Sequence, residues 1–162
     1  MPIREIRKIG DPVLRKVAEE VEEIDQEIMD VVRDMIDTVK DEQFAAVGLA
    51  APQIGISKRI VVLNYDETEV LINPQIEVLG DDFFEEEEGC LSIFSVPCKV
   101  KRAKKVRLSA KDMKGNEIII EASDMLAKIL QHEIDHLDGK LFIDYLQKDI
   151  KRDLMLKISK FQ

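Results

Sequence analysis

The sequence predicts an α+β fold, with antiparallel or mixed β-sheets packed around a central helix that carries an HExxH pattern. Three observations predict it. An amphipathic helical segment comes first, several short β-branched runs follow, and a strongly apolar helical segment comes after them. The chain has 162 residues and no repeat, linker or internal boundary, so residues 1–162 read as a single domain. Apolar residues make up 45% and charged residues 35%, the balance of an ordinary globular protein with a sizeable core.

Each element has its own signal. Asp11-Pro12 reads as a helix entry, an acidic N-cap followed by proline at the first helical position. From Asp25 to about Phe44, the residues Ile28, Val31, Val32, Met35, Ile36 and Val39 recur at helical spacing. Gly48 to Gly55 reads as a loop from its glycine and proline content. Arg59 to Asn64 is a β-branched strand. Val70 to Ile72 is a second, ended by Asn73-Pro74, and Ile76 to Leu79 a third, closed by Gly80. Lys105 to Ala110 alternates and pairs with Glu117 to Glu121 across a Lys114-Gly115-Asn116 turn. Ser123 caps a helix running to about Leu137, with Gly139 just past its end. Asp149 to Phe161 forms a last, basic-tinged helix.

The net charge of −9 speaks against a general or sequence-specific nucleic-acid binder. The charge is uneven: residues 1–89 hold 9 basic and 23 acidic side chains, and residues 90–162 hold 15 and 10. Two oppositely charged faces on one domain are the expectation. No apolar run approaches the ~20 residues of a membrane helix, so no membrane partner is expected. The segment MPIREIRKIGDPVLRK lacks the apolar core of a signal peptide, which predicts a cytoplasmic location. In that compartment Cys90 and Cys98 are expected reduced, and either is a candidate ligand or nucleophile.

Three segments carry chemistry. In Gln131-His132-Glu133-Ile134-Asp135-His136 the chain's two histidines stand four apart on a predicted helix. They therefore share a face and can reach one metal ion, with Glu133 beside it as a base. Leu126, Ile129, Leu130 and Leu137 make this helix apolar, and buried polar groups need partners. A catalytic site of this type uses three protein ligands and one open position. Cys90, in Glu88-Gly89-Cys90-Leu91-Ser92, and Cys98, in Val96-Pro97-Cys98-Lys99, compete for the third place, and spacing alone does not separate them. The third segment, Gly48-Leu49-Ala50-Ala51-Pro52-Gln53-Ile54-Gly55, is a tight loop with one glutamine. Beside a hydrolytic metal site that amide is a candidate oxyanion donor.

Together, and in this order, the segments resemble the peptide deformylase family, whose marks are G-x-G-L-A-A-P-Q, E-G-C-L-S and Q-H-E-x-D-H. The similarity runs from Gly10-Asp11-Pro12-Val13-Leu14-Arg15 to Leu141-Phe142-Ile143-Asp144. It implies removal of the formyl group from the N-terminal formylmethionine of new polypeptides, with release of formate. It implies Cys90, His132 and His136 as ligands of one divalent ion per chain, natively Fe²⁺, replaceable by Zn²⁺, Ni²⁺ or Co²⁺. It assigns proton transfer to Glu133 and oxyanion stabilisation to the Gln53 amide and the Leu91 backbone N–H. The N-formylmethionyl peptide is expected to lie extended along Val47, Gly48 and Gly89, with its first side chain against Met125, Ile129 and His132. Asp135 is expected to pair with Arg102.

Four positions depart from the family pattern. Ala46 replaces the first glycine, Phe94 a proline, Asp124 a glycine before the helix, and Lys128 an apolar residue near the methionine pocket. The shape of that pocket is where these departures act, and Lys128 is expected to leave only its stem in the wall. Gln147 to Gln162 carries five basic and two acidic residues. It reads as an amphipathic helix packed by Ile150, Leu154, Leu156 and Ile158, or, in a deformylase, as a helix touching ribosomal RNA. The rival readings are a zinc endopeptidase and a non-catalytic module that grips nascent N-termini.

Overall fold

A computed structural model describes residues 3–93 and 97–160. It is α+β, with three α-helices and two antiparallel sheets. Helix α1 spans Gln26–Lys40, and the Asp25 carboxylate caps it by accepting the Ile28 N–H at 3.0 Å. Its periodic residues Ile28, Val31, Val32, Met35 and Val39 are buried. The helix stops short of Phe44 because Asp41 is extended and its side chain accepts the Gln43 N–H instead. Asp11 does cap a turn, but a short 3₁₀ one over Pro12–Arg15.

The larger sheet orders its strands β1-β2-β3-β6-β7: β1 Gly48–Ala50, β2 Ile60–Asn64, β3 Thr68–Val78, β6 Lys105–Lys111 and β7 Glu117–Ser123. Two sequence expectations are corrected here. The predicted loop at Gly48 begins with a short edge strand, followed by a 3₁₀ turn over Ala51–Ile54. The two predicted strands around Asn73-Pro74 are one strand, β3, with a register shift between Ile72 and Gln75. Asn73 takes a left-handed φ of 51°, and its side-chain amide pairs with both the N–H and the carbonyl of Val21 at 2.8 Å. The bulge thus absorbs the proline that would otherwise end the strand. The β6–β7 hairpin pairs Lys105 with Ser123 through Lys111 with Glu117, around a turn in which Asp112 accepts the Lys114 and Asn116 N–H groups.

The second sheet, β4 Phe83–Glu88 with β5 Cys98–Ala103, had no signal in the apolar pattern, since β4 reads FFEEEE. Its register places Glu85 opposite Lys101 and Glu87 opposite Lys99, opposite-charge cross-strand pairs. Helix α2, Asp124–Leu137, packs on β1, β2, β3, β5, β6 and β7. Ser123 holds its N-cap position without a side-chain capping bond. Asp124, where the family pattern has glycine, sits at φ 56°, a conformation glycine adopts at lower cost. Past the helix, Gly139 lies at φ 74°, and a Cβ there would meet the Arg15 carbonyl oxygen at 2.6 Å. Arg59 closes the helix end, donating to the Leu137 carbonyl at 3.0 Å and to Asp138 at 2.8 Å.

Helix α3 runs over Lys148–Ser159. Only Leu154 and Ile158 of its four expected anchors are buried; Ile150 and Leu156 face outward. The buried pair joins Cys90, Ile93, Val100 and Phe142 in a third apolar cluster, beside one under α2 and one under α1.

Candidate metal and catalytic site

Helix α2 sets two of the site's groups by its pitch, and the turn after β4 brings the third. The Nε2 atoms of His132 and His136 lie 3.3 Å apart, and Cys90 Sγ lies 3.4 Å from His136 Nε2. All three donor atoms fall within 4.8 Å of one another. Bonds of about 2.0–2.1 Å to nitrogen and about 2.3 Å to sulfur would give tetrahedral edges of roughly 3.3 and 3.6 Å, so these residues fit a tetrahedral ion. The donor chemistry, one thiolate and two imidazoles, suits a first-row divalent metal. Cys98 pairs opposite Glu88 on β5 and is not in the cluster.

His132 is held from behind, whereas His136 Nδ1 is buried without a partner among the described residues. Glu88 Oε1 accepts from His132 Nδ1 at 2.9 Å, which fixes the ring and turns Nε2 towards the cluster. Arg102 grips both oxygens of Glu88 at 2.6 and 2.8 Å and reaches Asp135 at 2.6 Å. Tyr145 covers the guanidinium, its ring centroid 4.9 Å away. Burial works to raise the Glu88 pKa, but the Arg102 and His132 hydrogen bonds outweigh it and hold the carboxyl near 2. The expected Asp135–Arg102 pair is present; the carboxylate partner of His132 is Glu88, which sequence reasoning left without a role. Its signal was its place as the last of four glutamates before Gly89-Cys90: it alone of the four is buried.

Glu133 is buried beside the cluster with Oε1 unbonded among the described residues. Burial is the main force raising its carboxyl to about 7, and the nearby Glu88 charge adds to it. Gly48 makes room for this side chain: a Cβ at Gly48 would stand 2.7 Å from Glu133 Oε2. Gln53 is 2% exposed. Its Oε1 accepts the Ala50 N–H at 3.0 Å, which pins the amide so that Nε2 faces Cys90 Sγ at 3.6 Å and Ser92 Oγ at 3.4 Å. Leu91 opens a 3₁₀ turn in which the Cys90 carbonyl accepts the Ile93 N–H at 2.9 Å. That bond polarises the same peptide unit whose N–H belongs to Leu91. The N-terminal segment ties both pieces down: Arg7 N–H donates to the Gln53 carbonyl, Ile9 N–H to the Ser92 carbonyl and Lys8 Nζ to the Leu91 carbonyl.

These groups open on a cavity of about 380 Å³. Val47, Gly48, Gln53, Gly89, Cys90, Leu91, Met125, Lys128, Ile129, His132 and Glu133 line it. Strand β1 is an edge of its sheet, where an added strand could pair, although the Ala50 N–H is already bonded to Gln53 Oε1. The Val47 carbonyl is already taken by the Asn64 N–H. Gly89 adopts no left-handed φ, and a Cβ there would meet no protein atom within 4 Å. Ala46 lines the cavity outside the left-handed region; the strained position is its neighbour Ala45, at φ 48°. Phe94 lies outside the described residues.

A sequence profile described as Polypeptide deformylase matches residues 3–152. A peptide deformylase of Dictyoglomus thermophilum is 47% identical over 144 residues, covering 88% of this chain and 92% of that protein. One of Halothermothrix orenii is 48% identical over 148 residues, covering 89% and 94%. A crystal structure of a peptide deformylase from Legionella pneumophila superposes with a TM-score of 0.91 at 41% identity, over 99% of this chain and 95% of that one.

Proposed function

The chain belongs to the peptide deformylase family of enzymes, and from that premise we propose that it is a metal-dependent hydrolase. Its substrate would be the N-terminal formylmethionine of newly made polypeptides, and its products formate and a free α-amine. The observation that supports this most is the Cys90–His132–His136 cluster with Glu133 beside it, reaching the cavity through Cys90, His132 and Glu133. We assign the ion as Fe²⁺ in the cell, with Zn²⁺, Ni²⁺ or Co²⁺ as substitutes in purified protein. When bound, such an ion acidifies water and polarises the formyl oxygen.

The chain's own groups then have these roles. Glu133 takes the proton from the attacking water and delivers it to the departing amine nitrogen. Gln53 Nε2 and the Leu91 N–H meet the formyl oxygen as it gains negative charge. The β1 edge and Gly89 align the peptide, and Met125 and Ile129 receive its first side chain. Glu88 holds the His132 tautomer, and Arg102 holds Glu88. We read α2 as the centre of this arrangement, and residues 1–162 as one catalytic domain. We place its action in the cytoplasm; among the described residues no helix is long and apolar enough to cross a membrane. The exposed basic residues of α3, Lys148, Arg152 and Lys157, are the surface we assign to any contact with ribosomal RNA. Equal co-sedimentation of the wild type and a triple glutamate variant would remove that assignment.

Formate release from a formyl-Met tripeptide by anaerobically purified protein, with metal measured on the same sample, tests the whole. The expected result is release at about one ion per chain, falling about 10²–10⁴-fold in Glu133→Ala with the ion retained. No release at full Fe²⁺ or Ni²⁺ loading would overturn it.

A further inference from the structure

We propose that Lys128 is a specificity-determining residue, acting as a tie between the two walls of the cavity. This rests on the deformylase reading and deepens it by naming what limits the first side chain of the substrate. One wall is α2, through Met125, Lys128, Ile129 and His132; the other is the end of β4 with Gly89. Lys128 crosses between them. Its Nζ donates to Glu86 Oε2 at 3.3 Å and to the Glu87 carbonyl at 3.2 Å. The side chain is 12% exposed, so the stem lies in the cavity wall while the head, instead of reaching for water, is held by the facing strand. Among the described residues the one other hydrogen bond from α2 to β4 is His132 to Glu88, which belongs to the ligand cluster.

The tie therefore fixes the separation of the walls one helical turn from the His132–Glu88 bond. An unbranched thioether side chain fits between fixed walls. An aromatic ring requires them to part, which breaks the Lys128 contacts. Preference is the difference between the two substrates' free energies, so the tie enters as a penalty on the wide one. Glu86 is 47% exposed, which puts the ion pair within reach of salt screening.

The test compares kcat/KM for formyl-Met-Ala-Ser-amide and formyl-Phe-Ala-Ser-amide, both uncharged, in the wild type and in Lys128→Met, which keeps the hydrocarbon stem and loses the head. The expected result is a Met-over-Phe preference about fivefold lower in Lys128→Met, the upper worth of a partly exposed pair. In the wild type the preference falls by a similar factor between about 0.05 and 1 M salt, and in the variant it is flat. Equal preference in the two proteins, or a wild-type preference that ignores salt, overturns the proposal. Should Lys128→Met fail to fold, the salt series on the wild type decides alone. No formate from either peptide at full metal loading overturns the deformylase reading and this proposal with it. Release from both with unaltered preference counts against Lys128 only.

Discussion

Helix α2 and the β4–Cys90 segment supply the two halves of one site by different means. On α2, a covalent spacing of four residues and the helix pitch put His132 and His136 side by side, whatever surrounds them. On the other half nothing local aims Cys90. It follows a strand of glutamates paired, among the described residues, with β5 alone, and its position depends on Arg102 gripping Glu88 and on Lys8 and Ile9 tying down the turn beyond it. One half of the site is written in local geometry and the other in tertiary contacts, so the two halves should fail differently.

The largest effect is expected on the tertiary half. Arg102→Met leaves Glu88 buried with His132 as its one remaining partner among the described residues, and should cost about 3–5 kcal/mol by urea unfolding. A cost under 1 kcal/mol would mean that β4 holds Glu88 without help. Next comes Gln53→Ala, expected to lower kcat by about 10²–10³ with the metal content unchanged, since a proposed oxyanion donor is removed. An unchanged kcat would free Gln53 of that role. Gly48→Ala attacks the junction of the halves. Its methyl group would stand where Glu133 now lies, and the overpacking should cost about 1–3 kcal/mol together with a loss of kcat. A crystal structure of the variant with Glu133 unmoved would contradict this. The smallest effect lies outside both halves, at Arg15–Asp144. Burial works to raise the Asp144 pKa, but the Arg15 hydrogen bond outweighs it, aided by the Leu141 N–H and the Arg15 and Lys151 charges, and holds it below the ordinary range. Its contribution is thus present above about pH 3.9 and lost as pH falls through the lowered value. Asp144→Asn should be less stable than wild type by no more than about 1 kcal/mol at pH 7, with the gap closing in acid. A gap that widens in acid would reverse the sign of this argument.

The same division explains what the sequence revealed. Helices α1 and α2 and the β6–β7 hairpin were legible because apolar periodicity and turn residues are local signals. Strands β4 and β5 were not, because their register sets charged residues rather than an apolar alternation across the ribbon, and a run of glutamates reads as solvated surface. Strand β3 was cut in two at Asn73-Pro74, since the bulge that accommodates the proline depends on Val21, far away in the chain. At the site, spacing picked out the two histidines that the cluster contains and pointed to Glu133 beside them. The choice of Cys90 over Cys98 came from the family resemblance, and the support given by Glu88 emerged only once β4 was folded against β5.

The β4–β5 ribbon also bears on how the protein breathes. The two-stranded ribbon has less pairing to lose than the five-stranded sheet and leans on α2 for the rest of its support. Its amides should exchange with solvent through local opening well before those of β2 and β6. Each such opening carries Glu88 away from His132 and loosens the turn that presents Cys90, while the histidine pair on α2 stays formed. The assembled cluster should therefore last as long as one hairpin stays closed, and slowing that hairpin, for instance with a stronger cross-strand pair at Glu85 and Lys101, should lengthen its life without touching a single donor atom.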